Sequence, residues 1–231
     1  MLSTNGKIEN DWHQLSQYDK AEALRRTRMR RICQAGIPLL LAVGVMVLSA
    51  TPAHASEFTF SLGSLLTDNS PYSGAVEFRR PDAYALLVAG RFGSYQGRVG
   101  FEGSITYSSK ALRLGLFDGA LTSDARAVLG EFNVLVNILQ GSFQPFVTAG
   151  AGVHVYELTD ISGDPAVKFG YNFGAGLRYV SGKFVFRGDV RDHVTSLNIS
   201  DFGLNLEDVI AGDGSGTVHN VELSAGIGVI F

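Results

Sequence analysis

The sequence has 231 residues, of which 45% are hydrophobic and 18% charged, and its formal net charge is −3. Residues 56–231 carry 12 basic and 18 acidic side chains, so no excess of positive charge favours a nucleic-acid partner. The single cysteine, Cys33, precedes this region, which therefore contains no disulfide, thiolate nucleophile or cysteine metal ligand.

Residues 1–55 are predicted to form an N-terminal extension and an export signal. Five arginines at positions 25–31 precede an apolar run at positions 37–48, and a small-x-small sequence with Ala53 and Ala55 follows. This order is typical of a secretory signal peptide cleaved after Ala55. The apolar run is shorter than the roughly 20 residues that a membrane-spanning helix needs. Because the polar stretch before the arginines is long, an alternative hypothesis places the true start at Met29.

From residue 56 onward, apolar and polar residues alternate in eight segments. In residues 221–231 every odd-numbered residue is apolar, and residues 168–179 divide in the same way between aromatic or aliphatic side chains and glycine or polar ones. A period of two places the two sets on opposite faces of a strand. The predicted strands are 57–66, 84–92, 98–107, 128–138, 146–158, 168–179, 184–192 and 221–231.

These strands have the dimensions of a membrane-spanning barrel. Each is close to the roughly 9 to 11 residues with which a tilted strand crosses a bilayer. An even number permits antiparallel closure, and hydrocarbon tolerates no open sheet edge. Short turns alternate with longer connections at 67–83, 108–124, 159–167 and 193–216, an asymmetry typical of outer-membrane barrels. Residues 56–231 are therefore predicted to form an all-β fold, an eight-stranded antiparallel up-and-down transmembrane β-barrel, behind a cleavable signal peptide.

The orientation of the strands decides between two kinds of barrel. Glycines are frequent on the polar face, as the narrow interior of eight strands requires, so the polar face is predicted to line the lumen. A soluble lipocalin-like binding barrel, with its apolar face inside, is the alternative. The predicted lumen charge network consists of Arg91, Arg98, Glu102, Glu131, Lys168, Arg178, Arg187, Asp189, Arg191 and Glu222.

Two segments resemble the small outer-membrane β-barrel proteins related to OmpA and OmpX. They are QPFVTAGAG at positions 144–152, and FGYNFGAGLRY at positions 169–179 followed by FVFRGDVRD. The resemblance implies a location in the Gram-negative outer membrane and a barrel-only member without a peptidoglycan-binding domain. It also implies that the assembly machinery of that membrane recognises the last strand through Leu223, Ile227, Val229 and Phe231.

We therefore expect a monomeric, non-enzymatic outer-membrane protein that serves envelope structure or surface interaction through its loops. Its expected partners are outer-membrane lipid, lipopolysaccharide and the assembly machinery, with no nucleic acid. One alternative is a small gated pore for ions or small solutes, since the predicted lumen is charged. No cofactor is expected.

The other alternative is a lipid-modifying hydrolase. His193 and Ser196, with Asp189 and Asp192 nearby, contain the residue types of a serine nucleophile, its base and an orienting carboxylate. We predict instead that they belong to a solvated loop, so that no catalytic residue is assigned. The histidines have no metal-ligand spacing in the sequence, and no metal site is predicted.

Overall fold

A computed structural model describes residues 55–67, 70–71, 76–79, 85–116, 121–160, 164–203 and 215–231. The predicted export signal, including Met29 and Ala53, lies outside these residues, and Ala55 is the first of them. Within the described ranges, no helix combines the length and the apolar character needed to cross a membrane.

Strands make up most of the described chain, because alternating apolar and polar residues suit a pleated ladder with two different faces. One turn of 3₁₀ helix, Ile199–Phe202, follows the ninth strand. The strands are β1 (Ala55–Thr67), β2 (Ser70–Pro71), β3 (Val76–Arg79), β4 (Ala85–Gln96), β5 (Val99–Leu116), β6 (Leu121–Asn137), β7 (Phe143–Leu158), β8 (Ala166–Ser181), β9 (Phe184–Asn198) and β10 (Ser215–Ile230).

The eight long strands close into a barrel. From β4 to β10 each pairs antiparallel with the next in the chain, and β1 pairs with both β4 and β10. At the closing seam Glu57 lies opposite Ile230. The predicted eight-stranded antiparallel up-and-down barrel is thus confirmed. The short strands β2 and β3 extend the sheet beside the end of β5, where Val76 lies opposite Leu116.

The two ends of the barrel differ in their connections. At one end, which we call the turn end, short turns join β4 to β5, β6 to β7 and β8 to β9. Gly97 and Gly182 occupy these turns with φ of 60°, a backbone conformation that favours glycine. The connections from β1 to β4, from β7 to β8 and from β9 to β10 are longer and leave the opposite end, which we call the loop end.

The barrel wall extends further toward the loop end than predicted. The predicted loop 108–124 is wrong over most of its length, because β5 and β6 continue there as a paired hairpin. A register shift between Ser108 and Leu112 explains the error, since a bulge interrupts the period of two that identifies a strand. Strands β8 and β9 likewise continue into the predicted loops 159–167 and 193–216.

The apolar side chains of the alternation face outward and the polar ones face inward. Phe173, Leu223 and Ile227 are 50–55% exposed, whereas Arg178 and Glu222 are at most 3% exposed. The predicted orientation is therefore confirmed at these positions. The reverse orientation, expected of a soluble lipocalin-like barrel, is wrong for this chain.

Candidate functional site: the barrel lumen

Most of the predicted lumen charges lie inside the barrel. The structure buries eight of them: Arg91, Glu102, Glu131, Arg178, Arg187, Asp189, Arg191 and Glu222. Lys168 is only half-buried near the loop end, where its Nζ lies 2.7 Å from Asp201 Oδ1. The prediction for Arg98 is wrong, because β4 continues to Gln96 and leaves Arg98 exposed in the two-residue turn that follows.

Six of these side chains form what we call the charged layer: Arg91, Glu102, Arg187, Asp189, Arg191 and Glu222. Arg187 donates hydrogen bonds of 2.8 and 2.9 Å to the two oxygens of Asp189. Arg191 donates to Glu102 at 2.7 Å and to Asp189 at 2.9 Å. Arg187 also bonds Glu102, and Arg91 bonds Glu222. Three guanidinium groups thus balance three carboxylates, as ions removed from water require.

Toward the turn end, aromatic rings cover two of the arginines. The guanidinium carbon of Arg178 lies 3.8 Å from the ring centroid of Tyr95, and Arg178 also bonds Glu57. The guanidinium carbon of Arg187 lies 4.8 Å from the ring centroid of Phe146. These are cation–π geometries. Glu57 is missing from the predicted network, although its alternation with outward Phe58 and Phe60 would have identified it as a lumen residue.

Glycines on the lumen face provide the space for these rings. A Cβ on Gly176 would lie 2.4 Å from Cζ of Phe146, and one on Gly100 would lie 2.4 Å from Cδ1 of Tyr95. Both distances are far below van der Waals contact, so the rings rest directly on backbone. The positions of Tyr95 and Phe146 inside the barrel therefore depend on glycine in the neighbouring strand.

On the side of the charged layer toward the loop end lies a group that we call the histidine layer, formed by Glu131, His154 and His193. His154 Nε2 and His193 Nδ1 each lie 2.9 Å from Glu131 Oε1. The remaining nitrogen of each ring also has a partner, since His154 Nδ1 lies 2.5 Å from Thr195 Oγ1 and His193 Nε2 lies 3.1 Å from Glu222 Oε2. All three members of the layer are buried.

The sequence does not reveal this layer. Its members come from three different strands, β6, β7 and β9, and only the register of the sheet brings them to one level. The prediction that His193 belongs to a solvated loop is wrong, because β9 extends past it and turns it inward. The three ligand atoms lie within 4.8 Å of one another, a convergence that spacing along the chain could not show.

The residues of the alternative hydrolase are separated by the barrel wall. His193 is buried in the lumen, whereas Ser196 is exposed. Asp189 belongs to the charged layer, and Asp192 accepts a 2.8 Å hydrogen bond from His219 Nδ1. His219 is partly exposed, so that pair lies away from His193. A nucleophile, its base and an orienting carboxylate must be in hydrogen-bond reach, and this arrangement does not provide that.

At the loop end the lumen is apolar rather than charged. Eight large side chains, each at most 2% exposed, fill it and form what we call the apolar plug: Leu65, Leu87, Leu112, Leu114, Leu129, Leu197, Phe202 and Val218. The prediction that the polar face lines the lumen is therefore wrong for this end of the barrel. The strands extend into regions predicted as loops, and their inward residues there are mostly leucine and alanine.

The outer surface carries a broad apolar band. Large apolar side chains that are at least 39% exposed occur on all eight long strands. Leu223, Ile227, Val229 and Phe231, the residues of the predicted assembly signal, belong to this set. Toward the loop end the band gives way to surface ion pairs, in which Arg126 Nη2 lies 3.1 Å from Glu157 and Lys110 Nζ lies 3.2 Å from Asp124.

Comparison with solved structures identifies proteins of similar fold. The chain is similar to Neisserial surface protein A, NspA, with a TM-score of 0.51 and 14% identity, covering 76% of this chain and 97% of that one. Ail, the attachment invasion locus protein of Yersinia pestis, gives 0.45 and 16%, with coverages of 77% and 99%. The N-terminal β-barrel domain of Pseudomonas aeruginosa OprF gives 0.41 and 16%, with coverages of 76% and 97%.

No family model matches the chain, and no curated protein matches it. The likeness to NspA is therefore one of fold alone. It agrees with the closed eight-stranded barrel derived from the sequence and described above.

Proposed function

We propose that this chain is a non-enzymatic integral protein of a Gram-negative outer membrane, which serves envelope structure or surface interaction through the connections at its loop end. The observation that carries the proposal is the apolar band around a closed barrel. Soluble monomers rarely expose a contiguous apolar patch of more than a few hundred Å², and a band on all eight long strands exceeds what water would tolerate.

The closed sheet supports the same conclusion. A backbone amide or carbonyl left unpaired in hydrocarbon costs several kcal/mol, so only helices and closed barrels cross a bilayer. Here β10 pairs with β1 from Glu57 to Thr67, so that each of the eight long strands has a neighbour on both sides. The ion pairs near Arg126 and Lys110 lie where the apolar band ends, as expected for the boundary between hydrocarbon and headgroups.

The filled lumen argues against the alternative of a small gated pore. The charged layer pairs each of its guanidinium groups with a carboxylate, and the apolar plug closes the loop end with leucine, valine and phenylalanine side chains. An eight-stranded barrel has an interior only wide enough to hold such side chains. We therefore expect the folded protein to conduct no ions.

Three partners follow from this proposal. Lipid tails would contact the apolar band, and the anionic groups of lipopolysaccharide would meet the rim, where Lys110 and Arg126 are 40% and 47% exposed. The outward side chains of β10, together with Phe231 directly after it, are proposed as the surface recognised by the assembly machinery. Since closure pairs each of the eight long strands on both sides, the barrel wall offers no free edge to a second copy, and we propose that the barrel is a monomer.

Membrane fractionation of cells that express the full chain tests the proposal. We expect the protein in the outer-membrane fraction, and we expect a different gel mobility for boiled and unboiled samples because the closed barrel resists detergent. Recovery in the soluble periplasmic fraction would contradict the membrane location. Planar-bilayer recording of refolded protein tests the closed lumen, and stepwise conductance above the lipid background would overturn that part.

A further inference from the structure

We propose that Glu131, His154 and His193 form a binding site for one divalent transition-metal ion, with Zn²⁺ as the probe. The three side chains offer two imidazole nitrogens and one carboxylate oxygen, which are donors that Zn²⁺ commonly takes in proteins. They converge on one point inside the barrel from β6, β7 and β9. The inference depends on the barrel fold and does not rest on the proposed cellular role.

The geometry requires only small movements. The three ligand atoms lie within 4.8 Å of one another, and both ring nitrogens lie 2.9 Å from the same oxygen of Glu131. An ion held at about 2.0–2.2 Å from each donor would place the donors roughly 3.4 Å apart. The Glu131 oxygen would therefore move slightly away from the two ring nitrogens, and donors that lie further apart than this would approach each other. Three protein ligands leave a fourth position of a tetrahedral site for water.

Hydrogen bonds from neighbouring side chains hold both histidine rings in place, as they do for histidines that bind metals in other proteins. A histidine that binds a metal commonly uses its second nitrogen to bond a carboxylate, a carbonyl or another polar group, and this bond fixes the ring. His193 has such a partner in Glu222, at 3.1 Å. His154 has one in Thr195, at 2.5 Å, and Tyr156 Oη lies 3.2 Å from the same hydroxyl. Neither ring can turn away without losing these bonds.

Two further observations indicate an ion. Oε2 of Glu131 is buried without a hydrogen-bond partner, although Oε1 has two. A buried carboxylate oxygen left without a partner is costly, and a water in the fourth position of a bound ion would give it a hydrogen-bond donor. Both nitrogens of His193 face carboxylate oxygens, which favours a positive charge at this point of the lumen. A bound divalent ion supplies that charge between the two carboxylates.

Glycine in β8 leaves room for the site. A Cβ on Gly170 would lie 2.2 Å from Cε1 of His154, so the ring can occupy its place only because that position lacks a side chain. The layer thus has converging donors, oriented rings and space.

Metal analysis of refolded protein tests the proposal. The full chain, without a purification tag of histidines, would carry Cys33→Ser, His13→Asn and His54→Asn to remove other candidate ligands. It would be refolded into detergent with one equivalent of Zn²⁺ and separated from unbound metal by gel filtration. We expect about one Zn²⁺ per folded chain by elemental analysis. Refolding with Co²⁺ should give visible absorption bands of a site with low coordination number.

Variants separate this site from incidental binding. His154→Asn and His193→Asn should each lose the retained metal and the Co²⁺ bands. Thr195→Val keeps all three ligands and should weaken Zn²⁺ binding by roughly 10–100-fold, because the His154 ring loses its orienting bond. His219→Asn is the matched control, since His219 bonds Asp192 and should leave binding unchanged.

The heat-dependent gel mobility reports the fold of each variant. If either histidine variant fails to fold, Thr195→Val and the Co²⁺ spectrum still decide the matter. The proposal is overturned if the folded parent chain retains no metal, or if the folded histidine variants and Thr195→Val retain as much metal as the parent chain.

Discussion

Arg191 on β9 donates a 2.7 Å hydrogen bond to Glu102 on β5, and both side chains are 1% exposed. These strands are not neighbours in the sheet, so the bond crosses the lumen. Glu102 also bonds Arg187. One carboxylate thus connects two arginines of β9 to the opposite wall.

The change Glu102→Gln should therefore destabilise the folded barrel. It leaves the guanidinium groups of Arg187 and Arg191 with less compensating negative charge in the lumen, and breaking a buried ion pair in this way costs about 3–5 kcal/mol. Urea unfolding in lipid vesicles, followed by the heat-dependent gel mobility, measures the loss. The control Arg126→Gln removes an exposed pair with Glu157 and should cost less than about 1 kcal/mol. Equal losses in the two variants would contradict the importance of the charged layer.

The effect of replacing a strand glycine by alanine should depend on what lies next to the glycine. Gly176→Ala places a methyl group against the Phe146 ring and the β9 backbone, and overpacking of this kind costs about 1–3 kcal/mol. Gly103→Ala is the control, because Gly103 lies on the outer face between Phe101 and Ile105, and nothing lies within 4 Å of its Cβ position. The unfolding midpoint should fall for the first variant and stay nearly constant for the second. A fall in both would indicate a general effect of alanine in the strands.

An arginine on the outer face tests contact with lipid. Phe173 lies near the middle of β8 and is 52% exposed, so Phe173→Arg would place a charge near the bilayer midplane. We expect a loss of about 2–4 kcal/mol in the free energy of unfolding from vesicles. Thr122→Arg, at the loop end of β6, should cost only about 0–1 kcal/mol. If Phe173→Arg were harmless, the surrounding surface would not be in contact with hydrocarbon.

Single cysteines test which end of the barrel faces outward. In a Cys33→Ser background, Ser200→Cys lies at the loop end and Ser142→Cys in a turn at the opposite end, and both serines are exposed. Long loops of outer-membrane barrels face the exterior. A membrane-impermeant maleimide should therefore label intact cells at position 200 and not at position 142, until the cells are lysed. The opposite labelling pattern would reverse the proposed orientation.

The sequence allowed prediction of the barrel because its alternation is strict where the strands face lipid. Phe173 and Leu223 belong to uninterrupted runs with a period of two, and such runs determine both the strand and the face. The prediction failed where the period breaks. The bulge near Ser108 hides the second half of β5, so the hairpin it forms with β6 is predicted as a loop.

The lumen was predictable only in part for the same reason. Charged residues that alternate with apolar ones, such as Arg91 and Glu222, can be recognised as lumen residues from the pattern of a single strand. The apolar plug gives no such signal, because Leu87 is buried and its neighbour Leu86 is 60% exposed, yet both are leucine. The histidine layer depends on the register among strands, which no single segment contains.

The closing seam has a kinetic consequence. Most ladders of the wall join strands that follow one another in the sequence, but the ladder of β1 with β10 joins segments about 160 residues apart, such as Ser61 and Gly226. Contacts between such distant segments form slowly, because a long loop must close first. Until then the first and last strands each present unsatisfied amides along one side. Before the barrel closes, this chain would depend on a chaperone that covers β1 and β10. Without it, the unpaired edge of β1 in one copy could pair with that of β10 in another.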